Sequence, residues 1–178
     1  HLNTPVKKIL QDESGKAVGI ELFSPLSEGE GQGERQFADH IISTMPLTLM
    51  VKGLNNIPEE VAAACEKLYY RNTILVYLEA DDTELFPDNW VYIHSPEVRH
   101  GRITNFRNWC PTLYARLNDE VGQGEKKTTI LCLEYWCFDK DDTWTMSDNQ
   151  LAETAKEEVK KIKLIPAGTK ILNSFVLR

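Results

Sequence analysis

Apolar and polar positions alternate along the first stretch of the chain. Val6-Lys7-Lys8-Ile9-Leu10 reads as a short strand, and Val18, Ile20 and Leu22 line one side of a second, Ala17–Leu22. The polar run Asp12-Glu13-Ser14-Gly15-Lys16 joins them, with Gly15 free to take a positive φ, so the pair predicts a hairpin. Residues 24–36 are rich in Ser, Glu, Gly and Gln, lack aromatics and predict a mobile loop. Ala38-Asp39-His40-Ile41-Ile42-Ser43-Thr44 then reads as a buried strand stopped by Pro46. Residues 47–54 predict a short helical turn. Pro58, Glu59 and Glu60 suit the start of a longer helix, whose Val61, Ala64, Cys65, Leu68 and Tyr69 form one apolar stripe expected to pack on a sheet.

In the centre the period changes. Residues 73–79 are continuously apolar, which predicts a strand covered on both faces. Turn signals at Asp81-Asp82-Thr83 and Pro87-Asp88-Asn89 precede two expected strands, residues 90–94 and 102–109, joined by 95–101. Residues 118–127 predict a second polar loop, and 128–138 a further strand. Ser147 and Gln150 form a capping box, with Met146 and Leu151 as a hydrophobic staple, and open a helix with Leu151, Ala155, Val159 and Ile162 on one face. Pro166-Ala167-Gly168 ends it, and residues 170–177 predict a last strand. Strands follow one another without helices between them. The expected class is therefore α+β: a mixed, largely antiparallel sheet with helices packed on one face, plus a small β-hairpin region.

Composition narrows the function classes. The 178 residues are 42% hydrophobic and 26% charged, ordinary for a globular protein. No apolar run approaches the roughly 20 residues of a membrane-spanning helix. With 27 acidic residues, 20 basic ones and a net charge of −7, the chain lacks the positive footprint of a nucleic-acid binder. Cys65, Cys110, Cys132 and Cys137 form neither C-x-x-C nor a zinc pattern, which fits reduced thiols in a cytoplasmic protein. Cys132 and Cys137 are expected on opposite faces of their strand.

Candidate chemistry is concentrated in one region. Gly29, Gly31 and Gly33 lie in the Glu-rich loop and neither follow a strand nor open a helix, so they do not form a phosphate cradle. The carboxylates of residues 139–142 lack the further donors of a calcium loop and read as a solvated turn. His94 and His100 have no third ligand nearby, so they read as loop histidines at a sheet edge and no metal is expected. Residues 90–136, by contrast, gather Trp90, Tyr92, Phe106, Trp109, Tyr135 and Trp136 with Arg102, Asn105, Arg107 and Glu134. A few placed polar groups in an aromatic wall suit a flat or polar small-molecule ligand. The alternative is a wet sheet face with cation–π pairs. The candidate substrate-binding residues are Tyr92, Arg102, Asn105, Arg107, Trp109 and Glu134. Period two divides 102–109 between two faces, and only one of these can line a pocket.

Three segments in order resemble the superfamily of flavin-dependent amine oxidases, protoporphyrinogen oxidases and phytoene desaturases. They are Thr4-Pro5-Val6-Lys7-Lys8-Ile9 with Gly15-Lys16-Ala17-Val18-Gly19-Ile20; Ala38-Asp39-His40-Ile41-Ile42-Ser43-Thr44-Met45-Pro46; and residues 90–109 with Leu133-Glu134-Tyr135. The third is similar to the substrate domain of a branch related to UDP-galactopyranose mutases. The resemblance implies that residues 1–46 end a section of a flavin-binding domain and that 47–178 are a substrate-binding domain truncated at both ends. Val6 would meet the adenine side of FAD, and Thr44, Met45 and Pro46 would lie where the chain leaves the flavin domain. The sheet of residues 73–178 would cover the flavin ring.

The resemblance implies no catalytic residue, because the flavin itself takes the hydride. Without the glycine fingerprint, FAD is expected in a parent protein and not on this stretch alone. The chain starts His1-Leu2-Asn3 and stops in the apolar run Phe175-Val176-Leu177-Arg178, and so reads as an internal piece whose partners are the missing N- and C-terminal parts of the same polypeptide. The expected function is the substrate-binding region of an FAD-dependent oxidoreductase that moves a hydride from a small-molecule substrate to flavin. A flavin-dependent sugar-nucleotide mutase and a flavin-free ligand- or protein-binding module remain open.

Overall fold

The computed structural model describes residues 3–23, 33–114 and 127–178. It is α+β, and every strand pairing within it is antiparallel. The chain divides into two compact units, His1–Tyr69 and Tyr70–Arg178.

In the first unit, β1 (Val6–Gln11), β2 (Ala17–Leu22) and β3 (Arg35–Phe37) form a three-stranded sheet in that order. The β1–β2 turn forms as expected. Asp12 Oδ1 accepts from the Ser14 and Lys16 amides, and Gly15 sits at φ 84°, where a side chain would be strained. The third strand is displaced from its expected place. It is Arg35–Phe37, whereas residues 38–44 are irregular and Ile42 is 92% exposed. Most of the expected 24–36 loop, residues 24–32, lies outside the described residues.

Helix α1 (Leu47–Lys52) and helix α2 (Glu59–Lys67) group with the hairpin. The Ile9 amide donates to Gly53 O, the Asn55 amide donates to Gln11 Oε1, and Lys52 pairs with Glu66. Of the expected α2 stripe only Cys65 is buried, and Leu68 and Tyr69 are exposed.

In the second unit, β4 (Asn72–Ala80), β5 (Trp90–Tyr92), β6 (Arg102–Asn105), β7 (Thr129–Cys137) and β8 (Ile171–Leu177) form a sheet in the order β5-β6-β7-β4-β8. Helix α3 (Phe106–Trp109) and helix α4 (Asp142–Thr145) are single turns, and α5 (Asp148–Lys161) is the long helix. The α5 capping box forms: the Gln150 amide donates to Ser147 Oγ and the Ser147 amide donates back to Gln150 Oε1.

Leu151, Ala155 and Val159 of α5 pack with Ile74, Val76 and Leu78 of β4 and with Leu131, Leu133 and Tyr135 of β7. Each fully buried Leu, Ile or Val side chain here contributes about 1.5–3 kcal/mol. The opposite sheet face is only partly covered. Strand β4 alternates buried with half-buried residues and is not covered on both sides as its apolar run implied. Cys137 joins the core, while Cys132, opposite Tyr77, lies on the other face.

Candidate functional site

Register decides which side chains share the open face of the large sheet. Trp90 lies opposite Thr104, and Tyr92 opposite Arg102. Arg102 in turn lies opposite Glu134, and Thr104 opposite Cys132. Glu134 and Cys132 lie opposite Leu75 and Tyr77, and Tyr77 opposite Phe175. Since directly paired residues of an antiparallel ladder point the same way, all of these project to the side away from α5.

The face is an aromatic surface. Tyr77 lies between Phe106 and Phe175, with ring centroids 6.2 Å from each, and Tyr92 is 6.1 Å from Trp136. At its edge Trp90 and Trp109 stand 4.6 Å apart with planes inclined at 50°. These two, with Arg102, Thr104 and Phe106, line an open cavity of about 300 Å³.

A break in the expected strand creates that cavity. The ladder stops at Asn105, whose Oδ1 accepts from the Arg107 amide and caps the turn of α3. Asn105 and Asn108 both donate their amide side chains to Phe86 O, at 3.1 and 2.8 Å. The turn is thereby anchored, and it brings Trp109 to Trp90.

Of the six residues expected in a substrate wall, the structure brings Tyr92, Arg102, Trp109 and Glu134 to this face. Asn105 and Arg107 are directed elsewhere. Asn105 is buried at the base of α3. Arg107 donates Nε and Nη2 to Thr128 O and lies 4.3 Å over the Tyr114 ring. Trp90 and Phe106, expected only as aromatics of the region, and Thr104 line the cavity as well. Strict alternation from Arg102 already put Thr104 and Phe106 beside it.

The charged centre of the face is a closed pair. Arg102 donates Nε to Glu134 Oε1 at 2.7 Å and Nη2 to Glu134 Oε2 at 2.8 Å, while Nη1 reaches the Tyr92 hydroxyl at 3.4 Å. Hydrogen bonding to Glu134 raises the pKa of Arg102 further, so its charge is permanent. Burial, seconded by the Glu134 charge, pushes the Cys132 thiol up to about 11, which keeps it protonated and non-nucleophilic near neutrality.

In the first unit, Val6, Ser43, Thr44 and Met45 share a cavity of about 220 Å³ with Ile9, Ile20, Ile41 and Ile42. Three of the four residues expected near a flavin thus meet at one place, and Pro46 follows as the residue before α1.

The histidines do not pair. His94 is exposed. His100 is buried, correcting its expected place at a sheet edge: its Nδ1 lies 2.9 Å from Glu158 Oε2. Among the described residues no group of three metal-ligating side chains converges. No described helix is long and apolar enough to cross a membrane.

Comparison with known proteins supplies the context. The chain superposes on a reduced UDP-galactopyranose mutase with a TM-score of 0.62 at 17% identity, covering 96% of this chain and 33% of that one. A protein described as a protoporphyrinogen oxidase, from an Exiguobacterium species, matches with a TM-score of 0.56 at 16% identity, covering 98% and 33%. An oxidoreductase from Methanosarcina mazei matches at 0.50 and 18%, covering 98% and 37%. The chain therefore spans about a third of the length of these proteins, and at such identities they share its fold alone. No curated protein matches it. The family model for flavin-containing amine oxidoreductases matches residues 1–172. By that match over nearly its whole length, the chain belongs to the flavin-containing amine oxidoreductase family.

Proposed function

We propose that this chain is the substrate-covering section of a longer flavin-dependent oxidoreductase, of the protoporphyrinogen oxidase or amine oxidase type, that moves a hydride from substrate to FAD. The observation that carries this reading is the open aromatic face: a cavity bounded by Trp90, Phe106 and Trp109 on one side of a sheet whose other side packs against α5. Concave, mostly apolar surfaces with few polar groups are where small organic molecules bind.

The residues present fit part of a flavin site. Val6, Ile9, Ile20 and Ile41 make an apolar wall with the hydroxyls of Ser43 and Thr44 beside it, which suits the edge of a planar heterocycle. No G-x-G-x-x-G occurs in the sequence, so the amide-lined turn that grips a dinucleotide diphosphate lies outside these residues. A bound flavin supplies the two-electron acceptor. The work of this chain's own side chains is then to hold the substrate against the Trp90 and Trp109 edge of the face and to exclude water.

A sugar-nucleotide mutase is the second reading, favoured by the likeness to UDP-galactopyranose mutase. Arg102 argues against it. A diphosphate is best held by a free guanidinium fork, and the fork of Arg102 is already filled by Glu134.

The test uses the full-length natural protein that contains this chain. Anaerobic mixing with an uncharged aromatic amine or an esterified reduced tetrapyrrole is expected to bleach the oxidised flavin band. Purification without flavin, or conversion of UDP-galactopyranose to its furanose without net bleaching, would overturn the proposal.

A further inference from the structure

The electrostatics of the aromatic cleft narrow what it accepts. Among the described residues, Arg102 is the only charged one lining the cavity. Its bidentate edge is taken by Glu134, whose side chain is only 11% exposed, so the pair is neutral as seen from the cleft. The remaining Nη1 points at the Tyr92 hydroxyl, at a long 3.4 Å. A carboxylate or phosphate entering the cleft would meet no unshared positive charge among the described lining residues and would lose its hydration against three aromatic rings. An uncharged molecule suffers no such loss, and Nη1 together with the Thr104 hydroxyl leaves it one place to satisfy a neutral oxygen.

Resting on the reading of this face as the substrate wall, we propose that the cleft selects an uncharged, planar aromatic molecule carrying a neutral oxygen acceptor, and that Glu134 sets this selectivity by occupying Arg102. Glu134 acts through Arg102 and is a positioning residue. Trp90 and Trp109 supply the stacking surface, worth about 0.5–1.5 kcal/mol per aromatic pair beyond the area buried.

The experiment compares 2-acetonaphthone with 2-naphthoate, the same ring system with a neutral and an anionic oxygen group, by calorimetric titration of the full-length protein. The ketone is expected to bind at least tenfold tighter than the carboxylate, and Trp109→Ala to abolish the difference. In Glu134→Gln, which frees the charge of Arg102 without changing side-chain shape, the carboxylate is expected to gain about tenfold while the ketone changes little, the scale of one charge-assisted hydrogen bond. A merely structural role for Glu134 would weaken both probes together.

Equal affinity of the unsubstituted protein for the two probes, or no binding of either, would overturn the inference, and this result needs no variant to fold. Unchanged selectivity in a folded Glu134→Gln protein would also overturn it. The calorimetry is independent of flavin bleaching. A flavoprotein that reduces its flavin but prefers naphthoate removes this inference alone, whereas a flavin-free protein that prefers the ketone removes only the redox reading.

Discussion

The two faces of the large sheet carry the same ingredients in opposite settings. On the helix-covered face, Glu158 of α5 accepts from the Tyr135 hydroxyl and from the Arg99 amide, both at 2.9 Å, and pairs with His100. On the open face, Glu134 pairs with Arg102, which reaches the Tyr92 hydroxyl. Both carboxylates are nearly buried, at 7% and 8% exposure. Their partners differ: His100 and Tyr135 are 1% exposed, whereas Tyr92 is 52% exposed and the Arg102 side chain 34%. A carboxylate whose side-chain partners are both buried is bound into the core, because neither of those groups can return to water. A carboxylate whose partners reach solvent tunes a surface. Burial of the surroundings, more than the pairing itself, separates structure from recognition here.

Removing the first carboxylate should have the largest effect. Glu158→Ala leaves the buried His100 and the Tyr135 hydroxyl without their acceptor and is expected to cost about 3–5 kcal/mol in chemical denaturation. A loss below 1 kcal/mol, the surface range, would erase the contrast between the faces.

The same group shapes the acid response. Burial alone would raise its pKa, but hydrogen bonds from His100, the Arg99 amide and Tyr135 outweigh it and hold the group below its ordinary 4.5. A carboxylate with a depressed folded pKa contributes stability that is present above its unfolded value and lost as pH falls through the folded one. Stability should therefore drop as pH falls below about 4.5, and Glu158→Gln should flatten that drop. Parallel acid curves for the two proteins would refute this.

On the open side, Gly101 lies directly beneath an aromatic ring. A Cβ there would collide with the Trp136 ring, and the Gly101 amide and carbonyl are both bonded, to Glu134 O and from the Ile93 amide. Gly101→Ala is expected to cost about 1–3 kcal/mol through overpacking and to change the near-ultraviolet circular dichroism as Trp136 moves against Tyr92. An unchanged aromatic spectrum would show that the ring does not rest on this glycine.

The smallest effect belongs to Glu134→Ala. Its freed guanidinium can hydrate, so denaturation should register about 1 kcal/mol or less. A cost equal to that of Glu158→Ala would mean that both faces are core.

Local signals were legible where one short stretch sufficed. The Asp12–Lys16 turn, the Ser147–Gln150 capping box and the Leu151, Ala155, Val159 face depend on neighbours within one or two turns of chain, and all appear as expected. The site was half legible. Tyr92, Arg102, Trp109 and Glu134 announced themselves as aromatics and charges in one region. Period two wrongly separated Trp109 from Arg102, because it assumed a strand through residue 109. The ladder ends at Asn105, whose side chain caps a helical turn and binds Phe86 O, nineteen residues back along the chain. His100 and Glu158 lie 58 residues apart, so nothing local marked them as partners. The polar loops expected at 24–36 and 118–127 lie largely outside the described residues, 33–36 and 127 excepted.

The sequence by itself determined the α+β class, the hairpin and its turn, the long capped helix and a region dense in aromatics and arginines, because periodicity and caps are short-range properties of the backbone. Only the tertiary structure decided which of those residues share a face, that α3 carries Trp109 to Trp90, and that Arg102 is neutralised by Glu134 while His100 is sealed against Glu158. Strand register and burial join residues far apart in the chain. A side chain's chemistry follows from the water and charge around it after folding, and those are not written in its immediate neighbours.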